Sequence, residues 1–596
     1  MSAKPDTVAE DMVTVNIDGT DYQARKNAMI IEVTDGHDIS VPRFCYHKKL
    51  PIAANCRMCM VQVEMGGRMA PKPLPACATP VADGMKIWTT SEYAKKAQRA
   101  VMEFLLINHP LDCPICDQGG ECELQDVALE YGRGISRFTE KKRVVKDKNF
   151  GSLIATDMTR CIHCTRCIRF LEHIGGSKEL GGTGRGETME ISTYIENSID
   201  SELSGNVIDI CPVGALTSKP FRFTARAWEL IQAGSISPHD CVGSNMLLHT
   251  RNGKLMRVVP NENEEINEVW LSDRDRFSYQ GVNSDDRLTQ PMVKINGEWK
   301  TVGWEEALQK VSEGLKAVNP DKLGMLVSPN ATIEEQYLLN QIAEGLGTAN
   351  IDHRLRRSDF TGQEQEPLYP ALGLSISDLE ATDAVLVVGA NPRKDQPIIG
   401  LRLRQAAEKG AKIMTVNAVD YPVTYAVTEQ LITRPSEWVQ QLAAITAAVL
   451  KNKNIKAPAL LASVLEAADT NLTATSIAEN LIQADNAVLL LGLGAGMHPS
   501  FSALRALAVC IAENTQASIG FLSDGANAAG AYLAGVLPHR TVAGQSRANP
   551  GADAQDMLAT PRDAYLTFGI EPEYDCIDSR MAMHAMQESS FVVSLS

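Results

Sequence analysis

Along residues 13–17 apolar and polar side chains alternate, the chain turns at Asp18-Gly19, and the pattern resumes at Tyr22, which predicts a β-hairpin. Residues 60–63 read as a further strand. Residues 93–108 place Val101, Phe104, Leu105 and Ile107 at helical spacing, and Pro110 ends that helix. Beyond about Arg222 the style changes to α/β: strand-like runs at 324–327, 384–388, 413–416 and 487–491 alternate with helical patterns at 304–315 and 438–450. An apolar helix at 503–512 and a strand-like run at 591–594 follow. Two strand ends run into glycine turns, Gly389-Ala-Asn-Pro392 and Gly492-Leu-Gly-Ala-Gly496, placed where doubly wound sheets bind ligands. Neither matches the full dinucleotide fingerprint, so no bound nucleotide is expected. Gly181-Gly-Thr-Gly-Arg-Gly186 follows no clear strand and reads as a flexible loop.

At 596 residues the chain is too long for one core, and roughly three to five domains are expected. No apolar run reaches the roughly 18–20 residues of a membrane helix, so no span is expected. The first twelve residues are polar and acidic, without the pattern of a secretory signal or transit peptide, which fits a cytosolic bacterial chain or an already processed one. The net charge of -16 argues against nucleic acid as a partner. The basic run 141–148 reads as a solvated linker.

Cysteine placement changes the picture most. Eleven of the fourteen cysteines fall between Cys45 and Cys211, and none lies between 242 and 509. A disulfide scaffold would not be so uneven, and dense cysteine in a reducing compartment points to metal or redox chemistry. The ligands fall into three sets. Cys45, Cys56, Cys59 and Cys77 give one early cysteine, a C-x2-C pair and a distant fourth, the order of a plant-type [2Fe-2S] site with a longer first gap. His109, Cys113, Cys116 and Cys122 follow as H-x3-C-x2-C-x5-C, with Gly119 and Gly120 allowing the backbone to wrap, and suggest a [4Fe-4S] cluster. A neutral imidazole there makes the cluster one unit less negative. Cys161, Cys164 and Cys167 begin the bacterial ferredoxin run C-x2-C-x2-C-x3-C-P, and Cys211-Pro212 supplies the distant fourth ligand of a second [4Fe-4S] cluster. The partner cluster of that fold is missing: its ligand positions hold Leu171, Ser201, Ser204 and Val207. His163 reads as a donor behind the site or an exposed residue. Structural zinc is the alternative for the first two sets. Cys241, Cys510 and Cys576 read as structural thiols.

These sets, in this order, resemble the large iron-sulfur subunit, usually called the G subunit, of the peripheral arm of respiratory NADH:quinone oxidoreductase, complex I. The likeness rests on Val41-Pro-Arg-Phe-Cys-Tyr-His47, Asn55-Cys-Arg-Met-Cys59, His109-Pro-Leu-Asp-Cys-Pro-Ile-Cys116, Gly119-Gly-Glu-Cys122 and Ile210-Cys-Pro-Val-Gly-Ala-Leu216. The C-terminal half resembles the molybdopterin-oxidoreductase fold through Val302-Gly-Trp-Glu-Glu-Ala-Leu308 and the Gly389 turn. The resemblance implies a multidomain α+β and α/β chain: a β-grasp [2Fe-2S] ferredoxin domain over 12–90, a His/Cys3 [4Fe-4S] segment over 91–130, and a ferredoxin-like [4Fe-4S] domain with one cluster lost over 150–222. A small β-rich domain without a cluster (234–290) and a cofactor-free molybdopterin-oxidoreductase-like α/β domain (291–596) complete it.

It further implies one [2Fe-2S] and two [4Fe-4S] clusters, no molybdenum, and electrons passing from NADH through the flavin of a neighbouring subunit towards quinone. The twelve ligands act as fixed donors, and no catalytic residue is expected. Partners would be the flavin/NADH-binding subunit and other peripheral-arm subunits, with no nucleic acid, at the cytoplasmic face of the bacterial inner membrane. Some relatives have an extra cluster at the start of the C-terminal half, which the lone Cys241 argues against. Many run past 591–594, so this chain is expected to end early and its last domain to lack a layer. The alternative reading is the iron-sulfur subunit of an NAD-linked hydrogenase or formate dehydrogenase, which would need an active-site cysteine, selenocysteine or hydrogen-activating cluster motif further on.

Overall fold

The computed structural model of the protein describes residues 12–194, 197–469 and 471–596. The leader reading of residues 1–11 therefore lies outside the described residues. The chain divides into two compact units, Met1–Ala233 with His249–Val259, and Gly234–Leu248 with Pro260–Ser596.

In the first unit, Met12–Ile17 and Thr20–Arg25 form the expected hairpin, with Val13, Val15 and Ile17 buried as the two-residue period of a strand requires. Met12–Ile17 also pairs in parallel with Lys86–Trp88, which pairs antiparallel with Met60–Met65. The sheet closes over Ile30, Ile31, Val61 and Ile87, and Cys59 and Cys77 lie within this core. The helix Glu92–Ile107 is capped by Ser91, whose Oγ accepts from Ala94 N at 3.1 Å. At its other end Lys142 Nζ donates to the carbonyls of Leu106 and Ile107 at 2.9 and 2.7 Å. The basic run is thus less solvated than its composition suggests. Helix-end carbonyls lack intrahelical partners and attract a cation, Val145 is buried, and Lys148 pairs with Glu190 at 2.7 Å.

The glycine-rich stretch at 181–186 is also not the flexible loop expected. Leu180–Thr183 pairs antiparallel with Glu190–Thr193, and Gly184 and Gly186 take φ of +77° and +60° between the strands. Those glycines are needed where the backbone turns. They also interrupt the alternation that would have signalled the strand.

The second unit holds two parallel sheets. Ile351–Asp352, Leu323–Val327, Ala564–Phe568 and Phe591–Leu595 form one, in that order. Glu429–Ile432, Lys412–Asn417, Ala384–Val388, Ala487–Leu491 and Ser518–Phe521 form the other. Helices Trp438–Lys453, Leu472–Gln483 and Phe501–Thr515 contribute to the core built on the five-stranded sheet. At the carboxyl ends of its central strands the two glycine turns close on each other. Gly494 N donates to Gly389 O at 2.8 Å, and a Cβ on Gly389 would lie 2.5 Å from Ala495 N. Gly492 leads into the one-turn helix Leu493–Gly496 rather than a plain turn. Among the described residues no helix is long and apolar enough to cross a membrane.

Candidate metal centres

The first set lies where the sheet meets its long loop. Cys45, Cys59 and Cys77 are buried and Cys56 is partly so. Cys45 N donates to Cys56 Sγ at 3.4 Å. The thiols are close enough to share protons: Cys56 and then Cys77 draw Cys45 down, while Cys45 pushes both of them up. Ala54 and Arg57 take φ of +53° and +57°, unusual for residues with a Cβ. Such left-handed positions turn successive N–H groups inward, and the Met58 N–H reaches Cys56.

The third set repeats this device. His163 and Thr165 have φ of +52° and +60°, and His163 N donates to Cys161 Sγ at 3.4 Å. The Arg166 N–H points at Cys164, and those of Val213, Leu216 and Ala215 at Cys211. Burial pushes the Cys161 thiol up to about 11 and those of Cys164 and Cys211 up to about 12. Thiolates buried this deeply need a compensating cation. Leu171, Ser201, Ser204 and Val207 are all buried.

In the second set Cys113 is exposed and opens a short turn, while Cys116 and Cys122 are buried. Gln118 N–H faces Cys116, and those of Gln125 and Leu124 face Cys122. Backbone comes so near that a Cβ on Gly214 would lie 2.2 Å from Cys116 Sγ. His109 follows directly on the C-terminal end of Glu92–Ile107. Burial, then Arg160, lowers its pKa to about 4, which keeps the imidazole neutral and able to donate a lone pair.

The third set stands between the other two. Towards the first, Arg169 Nη2 donates to Cys45 O at 2.5 Å, Arg166 Nη2 to Tyr46 O at 2.9 Å, and Asn55 Nδ2 to His163 O at 3.3 Å. Towards the second, Leu124 N donates to Pro212 O at 3.3 Å, Arg160 Nε to Asp112 Oδ2 at 3.2 Å, and Arg166 Nη1 to Glu123 at 2.6 Å. Motif spacing gave no sign of these arginines as connectors. For Arg166 and Arg169 the available signal was their recurrence inside the run Cys164-Thr-Arg-Cys-Ile-Arg169.

Among the described residues, no group of three or more His, Cys, Asp or Glu side chains is poised to hold a metal ion as the side chains stand. What the chain presents is a donor set of thiols and one neutral imidazole, ringed by backbone N–H groups and closely approached by backbone at Gly214. Soft donors surrounded by amide donors fit an anionic iron-sulfide cluster.

Five family models match consecutive stretches: a 2Fe-2S iron-sulfur cluster binding domain at 10–92, the NADH-ubiquinone oxidoreductase-G iron-sulfur binding region at 98–137, and the ferredoxin-like domain of NADH-quinone oxidoreductase subunit 3 at 151–217. An NDSU1/NuoG-like 4Fe-4S domain of NADH-ubiquinone oxidoreductase matches 230–280, and molybdopterin oxidoreductase matches 287–595. The NADH-quinone oxidoreductase G subunit of Rickettsia conorii is 45% identical over 406 residues, 67% of this chain and 60% of that protein. The NADH-ubiquinone oxidoreductase 75 kDa subunit of Reclinomonas americana is 44% identical over 419 residues, 67% of this chain and 59% of that one. The chain thus spans about three fifths of the length of these relatives. A chain of a crystallised NAD+-reducing [NiFe]-hydrogenase is 26% identical, over 36% of this chain and 90% of that one, with a TM-score of 0.33.

Proposed function

Because the chain belongs to the G-subunit family of NADH-quinone oxidoreductases, we propose that it is an electron-transfer subunit of a proton-pumping NADH:quinone oxidoreductase. In this reading Cys45, Cys56, Cys59 and Cys77 hold a [2Fe-2S] cluster. His109, Cys113, Cys116 and Cys122 hold one [4Fe-4S] cluster, and Cys161, Cys164, Cys167 and Cys211 hold another. Such clusters, when bound, accept and release single electrons. The residues around them fix ligand geometry, aim N–H groups at sulfur and exclude water.

The observation that carries the proposal is the contiguous row of ligand sets, in which third-set residues touch both others. The order in space is first, third, second, unlike the order in sequence. Leu171 and Val207, apolar and buried where a two-cluster ferredoxin would need cysteines, support a single cluster in the third domain. The domain limits follow the same reading: 12–90, 91–130, 150–222, 234–290 and 291–596. No molybdenum is assigned to the last of these, where backbone meets backbone at the Gly389 and Gly494 turns. The flavin/NADH-binding subunit and other peripheral-arm subunits would be its partners, with the assembly at the cytoplasmic face of the bacterial inner membrane.

The test is to purify the chain anaerobically and count metals. About ten irons, with matching sulfide and neither zinc nor molybdenum, are expected. Cys164→Ala should remove about four of them. In the assembled complex it should stop NADH-driven quinone reduction while NADH:ferricyanide activity persists. Bound zinc with little iron would overturn the reading, as would unchanged quinone reduction.

A further inference from the structure

Several buried or partly buried arginines border the ligand sets, and most are matched by acids. Arg160 pairs with Asp157 at 3.0 Å and Asp112 at 3.2 Å, Arg166 with Glu123 at 2.6 Å, and Arg257 with Glu121 at 2.7 Å. Arg169 differs. It is 8% exposed, and its hydrogen-bond partners are all neutral: Cys45 O at 2.5 Å, Pro51 O at 2.6 Å, Cys164 O at 3.2 Å and Thr165 Oγ1 at 3.3 Å. Two of those carbonyls belong to ligand residues of different sets. One guanidinium therefore ties the loop of the first set to the loop of the third and places between them a positive charge with no carboxylate partner among the described residues.

We infer that Arg169 is a positioning residue that couples the first and third sets, fixing their separation and raising the reduction potentials of both clusters together. The inference rests on the cluster reading proposed above. A cluster gains negative charge on reduction, and a nearby cation shielded from water stabilises the reduced form. The planar fork can span carbonyls on two loops at once, which a lysine ammonium does less well.

The experiment is a redox titration of the 596-residue chain, purified with iron, followed by electron paramagnetic resonance. Arg169→Gln should lower the midpoint potentials of the two-iron signal and of one four-iron signal. A tenfold change in the oxidised-to-reduced ratio, about 59 mV for a one-electron couple, is the expected size. The second set's signal should stay in place. Arg169→Lys, which keeps the charge, should move the potentials less, but should weaken the spin-relaxation enhancement that each signal gains from its neighbour. Signals that are present but unmoved in Arg169→Gln overturn the coupling role, and so does an equal shift of all three. If Arg169→Gln does not load iron, Arg169→Lys decides: relaxation enhancement equal to wild type overturns the inference. Wild-type protein lacking both signals overturns the cluster reading, and this inference with it.

Discussion

Between residues 323 and 595 the central strands Leu323–Val327, Ala384–Val388 and Ala487–Leu491 are buried at every position. Between 98 and 222 the strands are only three or four residues long, and loops, turns and the one-turn helix Arg166–Arg169 carry the ligands. The first region folds by removing apolar side chains from water, each worth about 1.5–3 kcal/mol when fully buried. The second buries thiols and arginines among carbonyls, groups that cost free energy in an interior unless matched. The comparison teaches where a cofactor is part of the fold. In the ligand-bearing region metal binding and folding should be one equilibrium, as for structural metal sites, whereas the parallel sheets should stand without it.

Removing iron gives the largest expected effect. Anaerobic chelation should abolish amide-exchange protection across 98–222, a loss on the order of 10 kcal/mol by analogy with structural metal sites. The parallel strands of the second unit should keep theirs. Protection lost equally in both regions would break the comparison.

A single methyl group should do part of the same damage. Gly214→Ala places a Cβ 2.2 Å from Cys116 Sγ and 3.1 Å from Gln118 Cβ, in the space that a ligand sulfur occupies. We expect the loss of about four irons from the second set, with the thermal transition of the C-terminal sheets unchanged. Retention of all iron would mean that the loop at 212–216 can move.

The C-terminal region should instead show its own response to pH. Burial holds the His353 imidazole down to about 4, from an unfolded value of 6.5, while its Nδ1–H donates to Val536 O at 2.9 Å. Between pH 6.5 and 4 the unfolded chain takes up a proton that the folded chain refuses, so stability falls as pH falls through that window. Above it there is no further gain from this group. The full loss is about 3 kcal/mol. Burial depresses His539 to about 4 as well, with the same sign. Calorimetry of the C-terminal transition should show this slope, and His353→Gln should flatten part of it. An unaltered slope would place the titration elsewhere.

The two regions also differed in how readable they were. The apolar strands at 324–327, 384–388 and 487–491 announce themselves, because a fully buried parallel strand is a continuous apolar run. The hairpin at 180–193 does not, since the glycines that permit its turn erase the alternation. Ligand candidates were legible from C-x2-C spacing, because ligands on one loop must be neighbours in sequence. Their arrangement was not. That the third set touches the first depends on Arg169 and Cys45, 124 residues apart, and local periodicity holds no such information. Gly214 was visible only as part of a motif, with nothing to say that Cys116 lay against it.

The smallest expected effect tests where the cluster-bearing region ends. A family model for a 4Fe-4S domain matches 230–280, yet Cys241 is the only cysteine in that stretch. Ser244, three residues on, is fully buried, and its Oγ has no hydrogen-bond partner among the described residues. Burial pushes the Cys241 thiol up to about 12, and the Ser523 backbone N–H faces it. A neutral thiol and a serine hydroxyl are poor substitutes for the thiolates of a four-iron cluster. Cys241→Ser should therefore leave the iron count and every paramagnetic signal as they are, with a stability change within about 1 kcal/mol. A drop of about four irons would reveal a further cluster. It would also move the boundary of the metal-dependent region past residue 241, so that part of the second unit would need metal in order to fold.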